Sequence, residues 1–243
     1  AVKDGSLTIK VNGDGIQSNN DQDADKGWIS LDGGSINIVA QQDALQAETI
    51  LQINGGKFSL TTCGGSASVS SKKGNDMPWG NNDNTATTEE DAASAKAIKG
   101  GTEVQIAAGD FNIDAADDAI HSVNVTIKGG TFDIATGDDA VHADSNAIID
   151  AGTIKITASY EGIEGSNITI NGGEIHLVSS DDGLNAAGGN DGSGQMQGGD
   201  KFNAVEDSEV RITGGYLYVD AAGDGLDSNG SLYIDGGTII VNG

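Results

Sequence analysis

Apolar residues recur along the chain with a fixed period of 21 or 22 residues. Counted from the second glycine of a recurring Gly-Gly corner, the second and fourth residues are apolar, and the residue between them is polar in most coils, as at Asn112 and Asp133. This alternation is typical of a β-strand with one buried face. The two apolar columns contain Leu7, Ile36, Phe58, Phe111, Phe132, Ile154, Ile175, Leu217 and Ile239, and Ile9, Ile38, Leu60, Ile113, Ile134, Ile156, Leu177, Val219 and Val241.

Two further apolar segments complete each repeat. One precedes the glycine corner, as at Val125 and Ile127, and the other follows an acidic motif found at residues 117–121 and again at 138–142. A short fixed period is the signature of a solenoid, in which each coil covers the next. The sequence therefore predicts an all-β, single-stranded parallel β-helix of about nine coils with three walls. The crossover rule predicts a right-handed coil.

We expect a single domain over residues 1–243, interrupted by three insertions. The spacing between corner and motif is broken near residues 19–26, 64–95 and 187–208. These segments are polar and rich in Gly, Ser, Asn and Asp. Long loops in compact folds are often functional.

Composition narrows the range of partners. The chain has 38 Gly and one Pro, and its formal net charge is -25. Nucleic acid and anionic membranes need a positive surface, so neither is an expected partner. No apolar run approaches the roughly 18 residues of a membrane span. We expect a monomer, and because the chain begins at Ala1 and not at Met, we also expect that a leader was removed.

Acidic residues of the motif indicate a metal site. In a parallel β-helix, residues one period apart lie about 4.8 Å apart, so their like charges repel. Ca²⁺, which binds six to eight oxygens, would neutralise them. The alternative is that the acids cap backbone amides, which we favour for the outlying Asp14, Asp43 and Asp224. The predicted ligands are Asp117, Asp118, Asp138, Asp139, Glu161, Glu164, Asp181, Asp182 and Asn185.

A second acidic segment lies in the first insertion. Asp21, Asp23 and Asp25 alternate along the loop and resemble the first half of an EF-hand calcium loop. A solvated acidic loop is the alternative, and the sequence does not decide between the two.

Several side chains are candidates for sugar contacts. His121 and His142 stand three residues after the acidic column and could bind metal, bind sugar or form an exposed stacked pair. Tyr160 flanks the same column, and Trp79 lies in the second insertion, away from the core pattern. Aromatic rings with a polar edge suit sugars, although Trp79 could instead pack its loop onto the rod. Outward positions of the last two coils hold Tyr216, Tyr218 and Tyr233, which could form an aromatic strip or protect the open end of the rod.

The motif at residues 137–144, 160–165 and 181–191 resembles that of clostridial-type carbohydrate-binding β-helix proteins, which are similar in fold to family-nine pectate lyases. The resemblance implies a secreted or cell-surface protein that contains calcium and binds plant cell-wall glycans. Acidic sugars such as polygalacturonate are the first expected ligand and cellulose is the second.

The leading hypothesis is therefore binding without catalysis. The alternatives are a calcium-dependent pectate-type lyase and a structural or adhesive surface rod. Lyases of the resembling kind use a basic side chain to remove a proton, and Lys99 is the matching candidate here. Neighbouring carboxylates would raise the pKa of Lys99, which argues against that role.

Overall fold

The computed structural model describes residues 1–23, 25–68, 94–186 and 208–243. In these residues the chain forms 22 β-strands, one short 3₁₀ helix (Ser66–Ser68) and no α-helix. The strands of successive coils pair in parallel and in register. The predicted parallel β-helix class is thus confirmed. None of the described helices is long and apolar enough to span a bilayer.

The first sheet contains the strands that follow the glycine corners. Their alternating side chains bury one face and expose the other, as the sequence pattern predicted. The nine strands, in spatial order, are β1 (Ser6–Val11), β4 (Ser35–Ala40), β7 (Lys57–Thr62), β10 (Asp110–Ala115), β12 (Thr131–Thr136), β14 (Thr153–Ala158), β16 (Glu174–Ser179), β19 (Tyr216–Ala221) and β22 (Thr238–Asn242).

The second sheet joins the other two predicted walls. In the central coils, single strands run through both walls, with a register shift between Ser122 and Asn124. A local bulge of this kind bends a strand without ending it, so two sheets are present where three separate walls were expected. Its thirteen strands are β2 (Ile16–Ser18), β3 (Ile29–Leu31), β5 (Leu45–Ala47), β6 (Ile50–Ile53), β8 (Ile98–Gly100), β9 (Glu103–Ile106), β11 (Ile120–Ile127), β13 (Val141–Ile149), β15 (Ile163–Ile170), β17 (Leu184–Ala186), β18 (Glu209–Ile212), β20 (Leu226–Ser228) and β21 (Ser231–Ile234).

A column of glycines makes the corner before the first sheet. Gly152, for example, has φ 119°, and a Cβ there would lie 3.0 Å from the carbonyl oxygen of Gly130. Left-handed backbone and close stacking together require glycine at this position. Positive φ occurs at the corner glycines Gly5, Gly34, Gly56, Gly109, Gly130, Gly152, Gly173, Gly215 and Gly237.

The core lies between the two sheets and consists of stacked identical or similar side chains. Phe111 stacks on Phe58 and on Phe132, with ring centroids 4.7 and 4.5 Å apart and planes within 7° and 3°. All three rings are buried. The same columns become partly exposed in the first and last coils, as at Leu7 and Val241.

The predicted insertions are only partly described. The described residues 19–23 and 25–28 lie between β2 and β3. Most of the second and third insertions, residues 69–93 and 187–207, fall outside the described residues. Strand β17, before the third insertion, pairs with β20, and Leu184 lies opposite Leu226. Strand β18, after the insertion, pairs with β15.

Candidate functional site

The acidic residues of the motif stack at the corner where each strand of the first sheet ends and the second sheet begins. Asp118 Oδ1 accepts a hydrogen bond from the backbone amide of Asp139, 3.2 Å away, and Asp139 Oδ1 accepts one from the amide of Glu161, 3.1 Å away. Capping of a neighbouring coil was predicted only for the outlying acids. The structure shows such capping in the central cluster too. The same kind of hydrogen bond joins Asp14 to the amide of Asp43, Asp43 to that of Lys96 and Asp182 to that of Asp224.

A lysine neutralises the start of this column. Lys96 Nζ lies 2.9 Å from Asp117 Oδ1 and 2.7 Å from Asp118 Oδ2. Burial alone would raise the pKa of Asp118, but the hydrogen bond from His121 and the charge of Lys96 outweigh it and lower that pKa. The like-charge repulsion expected from the sequence is therefore offset here by an ammonium group. Asp138 lies beside the same pair of aspartates.

Two histidines form a second layer against the acidic column. The rings of His121 and His142 stack with centroids 4.7 Å apart. Their Nδ1 atoms face the column, 3.0 Å from Asp118 Oδ2 and 3.2 Å from Asp139 Oδ2. Burial would lower the pKa of His121, but its hydrogen bonds to Asp118 and Asp144 raise that pKa to about 9. His121 is thus a cation at neutral pH.

Sequence reasoning missed Asp144 as a member of this group. Its Oδ1 lies 3.4 Å from His121 Nε2 and 3.6 Å from His142 Nε2. Asp144 stands two residues after His142 in β13, so strand alternation alone places both on one face. The two-residue spacing between His142 and Asp144 was the sequence signal that could have identified Asp144.

Three carboxylates farther along the column are fully buried. Asp139, Glu161 and Glu164 are 2%, 5% and 0% exposed, and one oxygen from each lies within 4.8 Å of the others. His142 Nδ1 approaches Glu164 Oε2 at 3.0 Å. Burial and the charge of Asp139 raise the pKa of Glu161 to about 9. We name Asp139, Glu161 and Glu164 the carboxylate trio.

Two buried oxygens, one in the trio and one beside it, have no hydrogen-bond partner among the described residues. Asn185 Nδ2 donates to Glu161 Oε1 at 2.8 Å, but Asn185 Oδ1 and Glu161 Oε2 are buried and accept no hydrogen bond from any described residue. Buried polar atoms normally have a partner. Closely spaced oxygens, two of which lack a donor among the described residues, have the chemistry that Ca²⁺ prefers.

Asp181, Asp182 and Tyr160 border this group. Asp182 Oδ1 accepts from the amide of Asp224 at 2.7 Å. Burial raises the pKa of Asp182 to about 6. Burial, and after it a side-chain hydrogen bond with Asp181, also raise the pKa of Tyr160. The phenol of Tyr160 is therefore a neutral donor beside the acids.

The acidic loop of the first insertion forms local contacts. Asp23 Oδ1 accepts from the amide of Asp25, and Asp23 Oδ2 pairs with Lys26 Nζ at 2.9 Å. Asp21 Oδ1 accepts from the side chain of Gln22. Among the described residues, the carboxylates of this loop are not gathered into a group of three ligands. A calcium site in this loop stays a prediction.

The remaining candidates lie elsewhere. Lys99 pairs opposite His121 one coil earlier, and its Nζ is 3.5 Å from Asp43 Oδ2 and 3.3 Å from Ser94 Oγ. It therefore faces Asp43 and not the trio. Trp79 lies outside the described residues.

The chain matches a known protein family. Residues 1–140 and 123–201 both match the family described as carbohydrate-binding domain-containing protein. The chain belongs to this family. Membership of the carbohydrate-binding domain family supports carbohydrate binding and a polysaccharide partner, in agreement with the sequence prediction. Comparisons with curated proteins and with solved structures found no match. The likeness to pectate lyases stays a prediction.

Proposed function

We propose that the protein is a secreted or cell-surface, non-catalytic binding protein that recognises acidic plant cell-wall polysaccharide, such as polygalacturonate, with the help of Ca²⁺. The observation on which the proposal depends is the carboxylate trio with its adjoining oxygen of Asn185. In a member of the carbohydrate-binding domain family, a buried set of oxygen ligands in the repeat motif supports a metal-assisted sugar site.

The residues present fit a calcium ion. Asp139, Glu161, Glu164 and Asn185 supply oxygen atoms, and two of these atoms lack a hydrogen-bond donor among the described residues. Zinc would favour more nitrogen or sulfur ligands than this group offers. When bound, the ion would supply positive charge that accepts a sugar carboxylate as a further ligand.

The protein's own side chains would orient the sugar. His121 and His142 have raised pKa values because hydrogen bonds to column carboxylates outweigh the effect of burial. A protonated imidazole can donate to a carboxylate or a hydroxyl group of a glycan. Tyr160 offers a neutral phenol that shares a hydrogen bond with Asp181. These groups would add hydrogen bonds and partly offset the net charge of -25, which by itself repels a polyuronate.

Binding without catalysis is supported by the surroundings of the candidate base. A base that removes a proton from a bound sugar has to face the group that holds the sugar. Lys99 Nζ lies 3.5 Å from the buried Asp43 carboxylate. The other described lysine near the column, Lys96, is already paired with Asp117 and Asp118.

The proposal is tested by retention on immobilised polygalacturonate. We expect retention with calcium and release when a chelator is added. The same mixture is followed for the ultraviolet absorbance of an unsaturated product, which we expect not to appear. Formation of that product would establish a lyase, and absence of retention on polygalacturonate in calcium would refute the proposed function.

A further inference from the structure

Two imidazoles and one carboxylate converge on the outer side of the acidic column. His121 Nε2 lies 3.4 Å from Asp144 Oδ1, and His142 Nε2 lies 3.6 Å from the same oxygen. One ligand atom from each of the three residues lies within 4.8 Å of the others. Among the described residues, this is the group of possible metal ligands that contains two histidines. We name His121, His142 and Asp144 the histidine site.

Buried carboxylates hold the inner edges of both imidazoles. His121 Nδ1 lies 3.0 Å from Asp118 Oδ2, and His142 Nδ1 lies 3.2 Å from Asp139 Oδ2. Asp118 and Asp139 are each 2% exposed. A histidine that binds a metal ion through one ring nitrogen usually donates its other N–H to a carboxylate or carbonyl, which fixes the ring and its tautomer. Both rings of the histidine site have such a carboxylate, and both direct Nε2 towards Asp144.

A β-bulge places Asp144 against both rings. Between the paired positions on either side, β11 has one residue, Val123, and β15 has one, Ser166, whereas β13 has two, Asp144 and Ser145. An extra residue of this kind bends a strand and redirects a side chain. The Asp144 carboxylate thus reaches the imidazole of its own coil and that of the preceding coil.

The histidine pair is confined to two adjacent coils. The third histidine of the sequence, His176, lies in β16 of the first sheet. In the other described coils, the position that His121 and His142 share is occupied by Gln17, Gln46, Lys99, Glu164, Asn185 and Asp227. The combination of two stacked histidines and a bulged aspartate therefore marks one place on the rod and is not a general feature of the repeat.

We propose that the histidine site binds one divalent transition-metal ion, with Zn²⁺ as the representative. Two imidazole nitrogens and one carboxylate oxygen are a donor set of zinc sites that keep a fourth position open. With metal–ligand bonds of about 2.0–2.1 Å, the donor atoms around one tetrahedral ion lie roughly 3.3 Å apart. The two distances to Asp144 Oδ1 are close to this spacing. The stacked rings, whose planes differ by 13°, have to turn about the soft χ2 torsion to aim both Nε2 atoms at the ion.

Ligand chemistry separates this site from the carboxylate trio. Ca²⁺ prefers oxygen ligands, whereas imidazole favours Zn²⁺ and related ions. Such an ion replaces any proton on Nε2, so the outer edge of the histidine pair stays positive. The side chain of Asp144 is 46% exposed, so an ion held here is reachable from solvent and keeps a position for water or an external ligand. The inference goes beyond the proposed function, which needs only Ca²⁺ at the trio.

The test is a calorimetric titration of the whole chain with Zn²⁺ in an excess of Ca²⁺, which occupies the oxygen ligands. We expect the wild type to bind one equivalent of zinc. Asp144→Ala changes an exposed side chain and should lower the zinc affinity by about tenfold or more, since loss even of a residue that only supports a metal ligand costs about 10–100-fold. His176→Ala removes the histidine of the first sheet, is the matched control and should bind zinc as the wild type does.

Electron paramagnetic resonance with one equivalent of Cu²⁺, which imidazole also binds, reports the ligands directly. The wild-type spectrum should show coupling to two imidazole nitrogens, and that of His121→Gln coupling to one. Equal zinc affinity in Asp144→Ala and wild type, displacement of zinc by calcium, or a wild-type copper spectrum without two nitrogens would overturn the inference.

Calcium-dependent retention on polygalacturonate is measured with the same wild-type protein. If zinc does not bind but retention persists, this inference fails and the proposed function stands. If zinc binds at the histidine site but calcium gives no retention, the inference stands and the proposed function fails.

Discussion

Asp139 links two coils through one of its oxygens and faces His142 with the other. Its Oδ1 accepts from the amide of Glu161 at 3.1 Å, and its Oδ2 lies 3.2 Å from His142 Nδ1. The same carboxylate therefore holds the backbone of the next coil and belongs to the candidate site. Substitution of Asp139 would disturb both, so a different residue is needed to test the site alone.

Glu161→Gln is that test. Gln preserves the shape of the side chain but removes its charge, and Glu161 Oε2 accepts no hydrogen bond from the described residues. We expect calcium affinity, measured by calorimetry, to fall by about tenfold or more, since a ligand charge worth at least about 1.4 kcal/mol is lost. Calcium-dependent retention on polygalacturonate should fall with it. The control is Asp14→Asn, in another part of the column; equal calcium affinity in wild type and Glu161→Gln would contradict the proposed site.

The metal-free protein should become less stable as pH rises from about 6.5 to 9. Folding raises the pKa of Glu161 from 4.5 to about 9 and that of His121 from 6.5 to about 9. Between these values the folded state holds protons that the unfolded state has released, so the free energy of unfolding decreases with pH. Each group contributes at most about 1.4 kcal/mol per pH unit.

The pH effect is measured by denaturant unfolding in EDTA. Glu161→Gln should show a shallower decline than wild type, because one of the two groups no longer titrates. His176→Ala, a substitution of the histidine outside the column, should leave the slope unchanged. If the free energy of unfolding of the wild type instead rises across this range, folding does not raise the pKa values of Glu161 and His121.

Lys96→Met should be strongly destabilising without metal. It leaves the buried Asp118 carboxylate without its closest cation, and breaking a buried ion pair in this way costs about 3–5 kcal/mol. Asp117, Asp118 and Asp138 would then lie together without that ammonium group, so added calcium should restore part of the loss. Lys99→Met removes a more exposed lysine and should cost about 1 kcal/mol or less. A loss in Lys96→Met that calcium does not reduce would argue against metal binding by these three aspartates.

Gly162→Ala tests the packing of the motif. A Cβ at Gly162 would lie 2.0 Å from Leu177 Cδ1 and 2.4 Å from the carbonyl oxygen of Gly183, so the coil must distort. We expect a loss of about 1–3 kcal/mol in unfolding free energy, as for overpacked cores. Gly13→Ala meets only a side-chain atom at 3.7 Å and should change stability by about 0.5 kcal/mol or less. Similar stabilities for the two variants would show that the coil accommodates the added methyl.

The repeat made the fold and its core predictable. Residues one period apart had to share an environment, so the column that contains Phe111 and Phe132 could be identified as interior from spacing alone. The corner glycines could be identified in the same way, because a left-handed turn is needed at the same place in each coil. The merging of two walls in β11, β13 and β15 depends on a bulge that has no clear sequence signal.

The position of the candidate site was predictable from the sequence, but the ion pairs and side-chain contacts within it were not. Spacing placed Lys96 one coil before Asp118, yet only side-chain conformation shows that its ammonium group turns towards the acids. The stacking of His121 and His142 was among the sequence alternatives, whereas their shared contact with Asp144 was not. Tyr216, Tyr218 and Tyr233 all face outward as predicted, with Tyr233 on the second sheet and the other two on the first.

The positive-φ glycine at every corner has a consequence for how such a chain can vary in length. Thr131 pairs with Asp110, 21 residues earlier, and with Thr153, 22 residues later, and both intervals return the backbone to the same turn. Duplication of one whole coil would therefore create only contacts that already exist. Adding a single residue inside a strand would instead exchange its interior and exterior side chains. Lineages of this protein should gain or lose entire coils and confine smaller changes to the connecting loops.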